Sequence, residues 1–189
     1  MDFIGKTIRV LSDFCEYVDA ERKNVPSNKD LEHIFTSIDN LSCFLINIFA
    51  SCFPSNAEYF ELSYSISKEK LIKTKLKGFF ILRLCKRIFL SEVWNSFENF
   101  FQTRLGRDDK IGRVLLKNYY GGEKNIPRSI DFLRRIRNSA HNNYKYGSKE
   151  DPVELKVGSK IYKLEPGKTI NFAQFSDLIS IVKECCKTL

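Results

Sequence analysis

The sequence lacks the features that would mark a secreted or membrane protein. Its longest apolar run, Leu41 to Phe53, is shorter than the roughly 20 residues that a membrane-spanning helix needs. The segment from Met1 to Val10 carries Asp2, Lys6 and Arg9 and has no sustained apolar region, so no signal peptide is expected. These absences predict a soluble protein of the cytoplasm with no membrane partner.

Metal-binding patterns are also scarce in the sequence. The chain has only two histidines, neither near a cysteine pair, and none of its six cysteines forms a C-x-x-C pair. The Glu-x-x-His pairs that build di-iron helical bundles are absent from the sequence. We therefore expect no metal site and no cofactor. The adjacent Cys185 and Cys186 also suit a reducing compartment better than a disulfide framework.

Apolar residues and positive charge are both abundant. Hydrophobic residues make up 43% of the 189 positions and include 16 Phe and 8 Tyr, which is enough to form the core of one domain. The 31 basic and 23 acidic residues give a net charge of +8. This charge favours an acidic partner, nucleic acid above all, although a solvated basic surface would have the same composition.

Hydrophobic periodicity predicts a bundle of helices, because apolar residues recur at steps of three and four over most of the chain. The predicted helices cover residues 2–23, 28–53, 68–105, 110–119, 127–144 and 172 to the C-terminus. Gly78 is a candidate break in the longest of them, and residues 55–66 are ambiguous. The second half of helix 28–53 is apolar nearly all round, which predicts a central position in the bundle. The aromatic residues of helix 68–105 are interpreted as core or a dimer face.

A change to alternating apolar and polar residues near the C-terminus predicts a β-hairpin. The segments Val153–Val157 and Lys160–Leu164 alternate around the turn Gly158-Ser159. Residues 169–171 could add a short third strand. The predicted fold is an all-α, antiparallel helical bundle in a single domain, residues 1–189, with a hairpin insertion at about residues 152–171 before the last helix.

One stretch of helix 127–144 concentrates residues that can handle phosphate. Arg137 and His141 are four residues apart and adjacent on one helical face, with Arg134 one turn further along the same stripe. Asn138 flanks this stripe. The stripe borders the apolar arc of the helix, which is formed by Ile130, Leu133, Ile136, Ala140 and Tyr144. Such a boundary position typically lines a groove or a subunit interface.

These residue types suit chemistry on a phosphodiester. An imidazole can accept or donate a proton near neutral pH, and neighbouring guanidinium groups can hold a phosphate and stabilise charge that develops on it. The combination suits metal-free RNA cleavage by attack of a 2′-hydroxyl. It suits phosphate binding without chemistry equally well, and a histidine that is merely hydrogen-bonded on a basic helix surface is the third alternative.

The sequence Arg137-Asn138-Ser139-Ala140-His141-Asn142-Asn143 resembles the signature of the HEPN superfamily. Members of this superfamily are helical bundles whose late helix carries an arginine, a polar residue such as asparagine, and a histidine. Some bacterial relatives have Arg-Asn-Ser-x-His-Asn-Asn followed by a short hairpin and a terminal helix, as predicted here. The usual arginine-to-histidine spacing is longer than that of Arg137 and His141, and either Arg135 or Arg134 would restore it. Of these two, Arg134 shares the stripe with His141, whereas Arg135 points elsewhere. Arg137 is therefore assigned first and Arg134 second.

The resemblance implies a function as well as a fold. Many members of the superfamily are metal-independent endoribonucleases of toxin–antitoxin, phage-defence and RNA-processing systems, and they form homodimers whose two motifs face one cleft. Others are noncatalytic modules for RNA binding or assembly. By resemblance, His141 is the general acid or base, Arg137 the transition-state stabiliser, and Asn138 a substrate-positioning residue, with Arg134 and Asn142 as substrate contacts. The implied partners are RNA, a second copy of the chain, and a protein antitoxin or a nucleotidyltransferase-like protein.

Overall fold

A computed structural model describes residues 3–25, 28–52, 68–106, 111–142, 144–170 and 174–189. Within these ranges the chain forms six α-helices and one two-stranded antiparallel hairpin, which confirms the predicted all-α bundle with a hairpin before its last helix. The helices are α1 (Phe3–Asn24), α2 (Lys29–Cys52), α3 (Lys68–Leu105), α4 (Gly112–Tyr119), α5 (Arg128–His141) and α6 (Phe175–Cys186). A short 3-10 turn, Glu123–Asn125, lies between α4 and α5.

Helix α3 is the centre of the bundle, since it packs against α2, α4, α5 and α6. Its aromatic residues Phe89, Trp94, Phe97 and Phe101 are at most 1% exposed. Full burial of a phenylalanine side chain contributes about 1.5–3 kcal/mol to folding, so this row is a major source of stability. The described aromatic residues of α3 therefore form the core and present no platform for stacking nucleic-acid bases.

Two expectations about the long helices differ from the structure. Helix α3 continues through Gly78 without a break. Helix α2, expected at the centre, packs mainly against α1 and α3, and its Phe44 is 54% exposed. The apolar second half of α2 is therefore not buried on every side. The helix that contacts most of the others is α3. The ambiguous residues 55–66 lie outside the described part of the chain.

The hairpin forms with the predicted boundaries. Strand β1 (Val153–Val157) pairs antiparallel with β2 (Lys160–Leu164), and Val157 is opposite Lys160 across the two-residue turn. Strand β1 packs against α5 and α6. Leu155, Tyr162 and Leu164 are the buried residues of the two strands. The hairpin thus extends the core between the last two helices.

Polar contacts fix the hairpin to the start of α6. Asp177, in the first turn of α6, is 5% exposed and accepts hydrogen bonds from Lys160 Nζ and from the Tyr162 hydroxyl. Residues 169 and 170 of the suggested third strand form no strand, and Thr169 makes an isolated bridge with Lys145. Asn171 lies outside the described residues. In the described ranges, none of the helices is long and apolar enough to cross a membrane.

Candidate functional site

Helix α5 carries two basic groups, and the first is neutralised by ion pairs. Arg134 donates from Nε and Nη2 to Asp131 Oδ1 at 3.0 and 2.7 Å, and Arg135 donates from Nε to Asp131 Oδ2 at 2.6 Å. Burial would raise the pKa of Asp131, but the hydrogen bonds and charges of the two arginines lower it below its ordinary value. One carboxylate thus compensates two guanidinium groups.

Arg135 also connects α5 to the segment that follows it. Its Nη1 donates to the Tyr146 hydroxyl and to Glu150 Oε2, the latter at 2.9 Å. Tyr146 in turn donates to the carbonyl oxygen of Asp151 at 2.8 Å. We call the set Asp131, Arg134, Arg135, Tyr146 and Glu150 the ion-pair network, and its role is to hold the chain after α5 against the helix.

Arg134, expected as a substrate contact, therefore belongs to the ion-pair network. It is 8% exposed, and its Nε and Nη2 both donate to Asp131. Arg134 shares the helical stripe of Arg137 and His141, but it is buried, whereas His141 at the end of the helix is exposed. Its position favours a structural role over contact with a large substrate such as RNA.

Arg137 and His141 form the second basic group and lack acidic partners. Arg137 is half-buried, and its Nη1 donates to Asn138 Oδ1 at 3.3 Å. Its Nε is buried and has no acceptor among the described residues. His141 is exposed at the last residue of α5. No ion pair in the described part of the chain involves either residue.

Helix α3 adds two arginines that the sequence did not single out. Arg83 lies over the ring of Tyr144, with its Cζ 5.8 Å from the ring centroid. Arg87, one turn further along α3, is exposed. The pKa of His141 lies below its ordinary value. Burial is the largest cause, and the charges of Arg137 and Arg87 lower the pKa further. The charges of Arg87 on α3 and Arg137 on α5 both act on His141, while Arg83 and Arg87 act on Tyr144. We call Arg83, Arg87, Arg137 and His141 the basic cluster.

A turn directly after α5 forms the floor of the basic cluster. Tyr144 was expected in the helix, but α5 ends at His141 and Tyr144 has a φ of 60°, a conformation that is uncommon outside glycine. Its N–H donates to the carbonyl of Ser139 at 2.8 Å, and its own carbonyl accepts from the N–H of Ile170 at 2.9 Å. These bonds hold the buried tyrosine in place beneath Arg83.

The hydroxyl of Tyr144 is a buried donor without a partner among the described residues. Burial raises the pKa of Tyr144 to about 12, although the charges of Arg83 and Arg87 act in the opposite direction. The phenol therefore stays protonated at neutral pH. Its ring contributes a cation–π contact to Arg83, which is worth about 0.5–2 kcal/mol, and so helps to hold positive charge at this surface.

The two predicted asparagines have different surroundings. Asn138 is exposed and lies at the edge of the basic cluster, where it accepts the hydrogen bond from Arg137. Asn142 caps the end of α5, with its N–H donating to Ser139 O at 2.9 Å and its Nδ2 directed at Lys145 O at 3.5 Å. Asn138 could contact a ligand of the cluster, whereas Asn142 mainly ends the helix. Asn143 lies outside the described residues.

The basic cluster combines anion binding with a group that can transfer a proton. Its guanidinium groups can hold a phosphate by charge-assisted hydrogen bonds. The lowered pKa keeps His141 neutral near pH 7, so that its imidazole can accept a proton. Comparisons of the chain with protein-family models, with curated proteins and with solved structures found no match. The functional assignment therefore depends on these residues and their geometry.

Proposed function

We propose that the chain acts on RNA as a metal-independent endoribonuclease, of the type found in HEPN-like toxins and phage-defence proteins. The observation that carries the proposal is the basic cluster: positive charge from two helices acts on an exposed histidine whose neutral form is favoured. The resemblance of Arg137-Asn138-Ser139-Ala140-His141 to the HEPN signature selects RNA among the acidic partners. We further propose a homodimer, with an antitoxin or nucleotidyltransferase-like protein as partner.

The proposed reaction is an internal transesterification. Arg137 and Arg87 hold the scissile phosphate and stabilise the charge that accumulates on its oxygens. Neutral His141 removes the proton from the adjacent 2′-hydroxyl, the O2′–P bond forms, and the P–O5′ bond breaks. The departing 5′-oxygen takes a proton from water, and His141 then releases to water the proton that it accepted. The products are a 2′,3′-cyclic phosphate and a 5′-hydroxyl end.

The proposal is tested with structured RNA in the presence of a chelator. Wild-type protein is expected to release fragments with cyclic-phosphate ends, and His141→Ala to cleave at least about 100-fold more slowly, since general acid–base catalysis contributes on the order of 10²–10⁴ in rate. Because His141 is exposed, the variant should keep the circular dichroism spectrum and oligomeric state of the wild type. Full activity in His141→Ala would remove the assignment.

The alternative proposal is a noncatalytic module for RNA binding or dimerisation. It is favoured by one observation, that no hydrogen bond orients the ring of His141 within the described part of the chain, whereas general bases are commonly oriented by a third group. This alternative predicts RNA binding that weakens with salt and no cyclic-phosphate ends. The same incubation therefore distinguishes the two proposals.

A further inference from the structure

A separate cluster of side chains with metal-binding atoms lies between α1 and α2. Cys15 is on α1, while Asp39 and Cys43 are one turn apart on α2, so both α2 residues lie on the same face. The Sγ atoms of Cys15 and Cys43 are 3.9 Å apart. All three ligand atoms of the cluster lie within 4.8 Å of one another. The packing of α1 against α2 brings these residues together.

The sulfur separation matches a shared tetrahedral cation. Two thiolates bound to zinc at about 2.3 Å with a tetrahedral angle are about 3.8 Å apart, close to the 3.9 Å between the two Sγ atoms. A disulfide bond requires about 2.05 Å, so the two sulfurs would have to move together by almost half of their separation. The two sulfurs are therefore already spaced for a shared cation.

The donor set indicates which cation fits. Two sulfur donors exclude a preference for Mg²⁺ or Ca²⁺, which take oxygen ligands, and favour zinc and related thiophilic ions. Asp39 has no ion-pair partner in the described part of the chain, so its carboxylate is available. Cys15 and Asp39 are half-buried and Cys43 is exposed, which gives a cation access from solvent and leaves a fourth position for water.

We propose that Cys15, Asp39 and Cys43 bind one thiophilic divalent cation of the Zn²⁺ class, which joins α1 to α2. The site uses neither α3 nor α5, so it is independent of the basic cluster. The expectation of no metal site followed from the sequence spacing, because Cys15 and Cys43 are far apart in the chain and form no ligand pair there. Folding supplies the proximity that the spacing lacks.

The experiment is an anaerobic titration of the reduced full chain with Co²⁺ as a spectroscopic probe for Zn²⁺. We expect one equivalent to bind with a thiolate-to-cobalt charge-transfer band and tetrahedral d–d bands, and Zn²⁺ to displace it. Cys43→Ser should weaken binding by more than about 100-fold, because even second-shell changes cost 10–100-fold in affinity. Asp39→Asn removes the carboxylate with little change in shape and should also weaken binding.

The matched control is His33→Ala, which removes an exposed potential ligand of α2 whose ring Nδ1 lies 3.4 Å from Ser37 Oγ. This variant should bind Co²⁺ like the wild type, and Zn²⁺ should raise the melting temperature of both but not of Cys43→Ser. Absence of the charge-transfer band in the wild type overturns the proposal. Unchanged binding in both Cys43→Ser and Asp39→Asn also overturns it, as does a Cys15–Cys43 disulfide in protein that binds no Co²⁺ after reduction.

Discussion

The ion-pair network and the basic cluster share helix α5 but differ in how their charges are compensated. In the network, Asp131 and Glu150 neutralise Arg134 and Arg135 at distances of 2.6–3.0 Å. In the cluster, the hydrogen-bond acceptor of Arg137 among the described residues is the amide oxygen of Asn138, at 3.3 Å. The difference shows that the number of arginines on a helix does not locate an anion site. What locates it is the absence of carboxylates within reach.

Local sequence explains the contrast. Asp131 stands three and four residues before Arg134 and Arg135, the spacings at which helical side chains meet. The corresponding neighbours of Arg137 are Leu133, Arg134, Ala140 and His141, and those of Arg87 are Arg83, Leu84, Leu90 and Ser91. None of these neighbours is acidic. Neither Arg137 nor Arg87 therefore has a carboxylate from its own helix at the spacing where side chains meet.

The largest expected effect is on catalysis at Arg137. Arg137→Gln should lower the rate of RNA cleavage by about 100- to 1,000-fold, because removal of one donor that stabilises transition-state charge typically costs that much. The free energy of unfolding should change little, since no ion pair is lost. Single-turnover cleavage and urea denaturation of the same sample measure both quantities.

Arg134→Gln is the matched control for Arg137→Gln. It also removes an arginine from α5, but this arginine belongs to the ion-pair network. It should lower stability and leave the cleavage rate per folded molecule unchanged. If Arg134→Gln lowers that rate as strongly as Arg137→Gln does, the division of α5 into two groups is incorrect. Arg134, whose distance in sequence from His141 is the one usual in the HEPN signature, would then be the better candidate for the catalytic arginine.

The second expected effect is on stability at Asp131. Asp131→Asn leaves Arg134 and Arg135 partly buried without their shared carboxylate, and loss of one member of a buried ion pair costs about 3 kcal/mol. Urea denaturation measures the loss. The control is Glu154→Gln, which removes the exposed pair with Lys163. A surface pair of this kind is screened by solvent and contributes little to stability.

The pH dependence of stability gives a second measurement on Asp131. Its folded-state pKa is lower than the ordinary value of 3.8, so its stabilising contribution is present above the unfolded-state pKa and is lost as the pH falls through the folded-state pKa. Wild type should therefore lose stability on acidification in that window more steeply than Asp131→Asn. Parallel curves for the two proteins would show that the network contributes nothing specific to the fold.

Much of the fold could be predicted from the sequence, because it depends on local patterns. The helical periodicity and the two-residue turn Gly158-Ser159 gave helices and strands whose boundaries are close to those in the structure. The end of α5 could not be predicted this way. Tyr144 continues the apolar periodicity, yet hydrogen bonds to Ser139 and Ile170 hold it in a turn. Long-range bonds of this kind leave no periodic signal.

The candidate site was visible only in part. The stripe of Arg137 and His141 follows from helical spacing, but its partners Arg83 and Arg87 belong to a helix interpreted as core, and only the packing of α3 against α5 brings them to the histidine. Arg83 and Arg87, four residues apart in a largely apolar stretch that also contains Lys86, were the available signal. Cys15 and Cys43 likewise meet only through the packing of α1 against α2.

The smallest expected effect is a shift of the pH–rate profile, which tests the contribution of α3 to the basic cluster separately from that of α5. Burial and the charges of Arg137 and Arg87 lower the pKa of His141 below its ordinary 6.5. The neutral imidazole is the base, so the cleavage rate should rise with pH through this lowered pKa and level off above it. Arg87→Gln removes one positive charge, so the pKa of His141 rises and the acid limb moves to higher pH.

The control for this shift is Lys124→Gln, which removes an exposed positive charge from the turn before α5 and should leave the acid limb in place. Equal shifts in both variants would mean that the net charge of the protein sets the profile. No shift with Arg87→Gln would mean that α3 does not contribute to the site. A shift with Arg87→Gln alone would mean that the charge of Arg87 changes the proton affinity of the imidazole. A residue of α3 would then contribute to the electrostatic environment of His141.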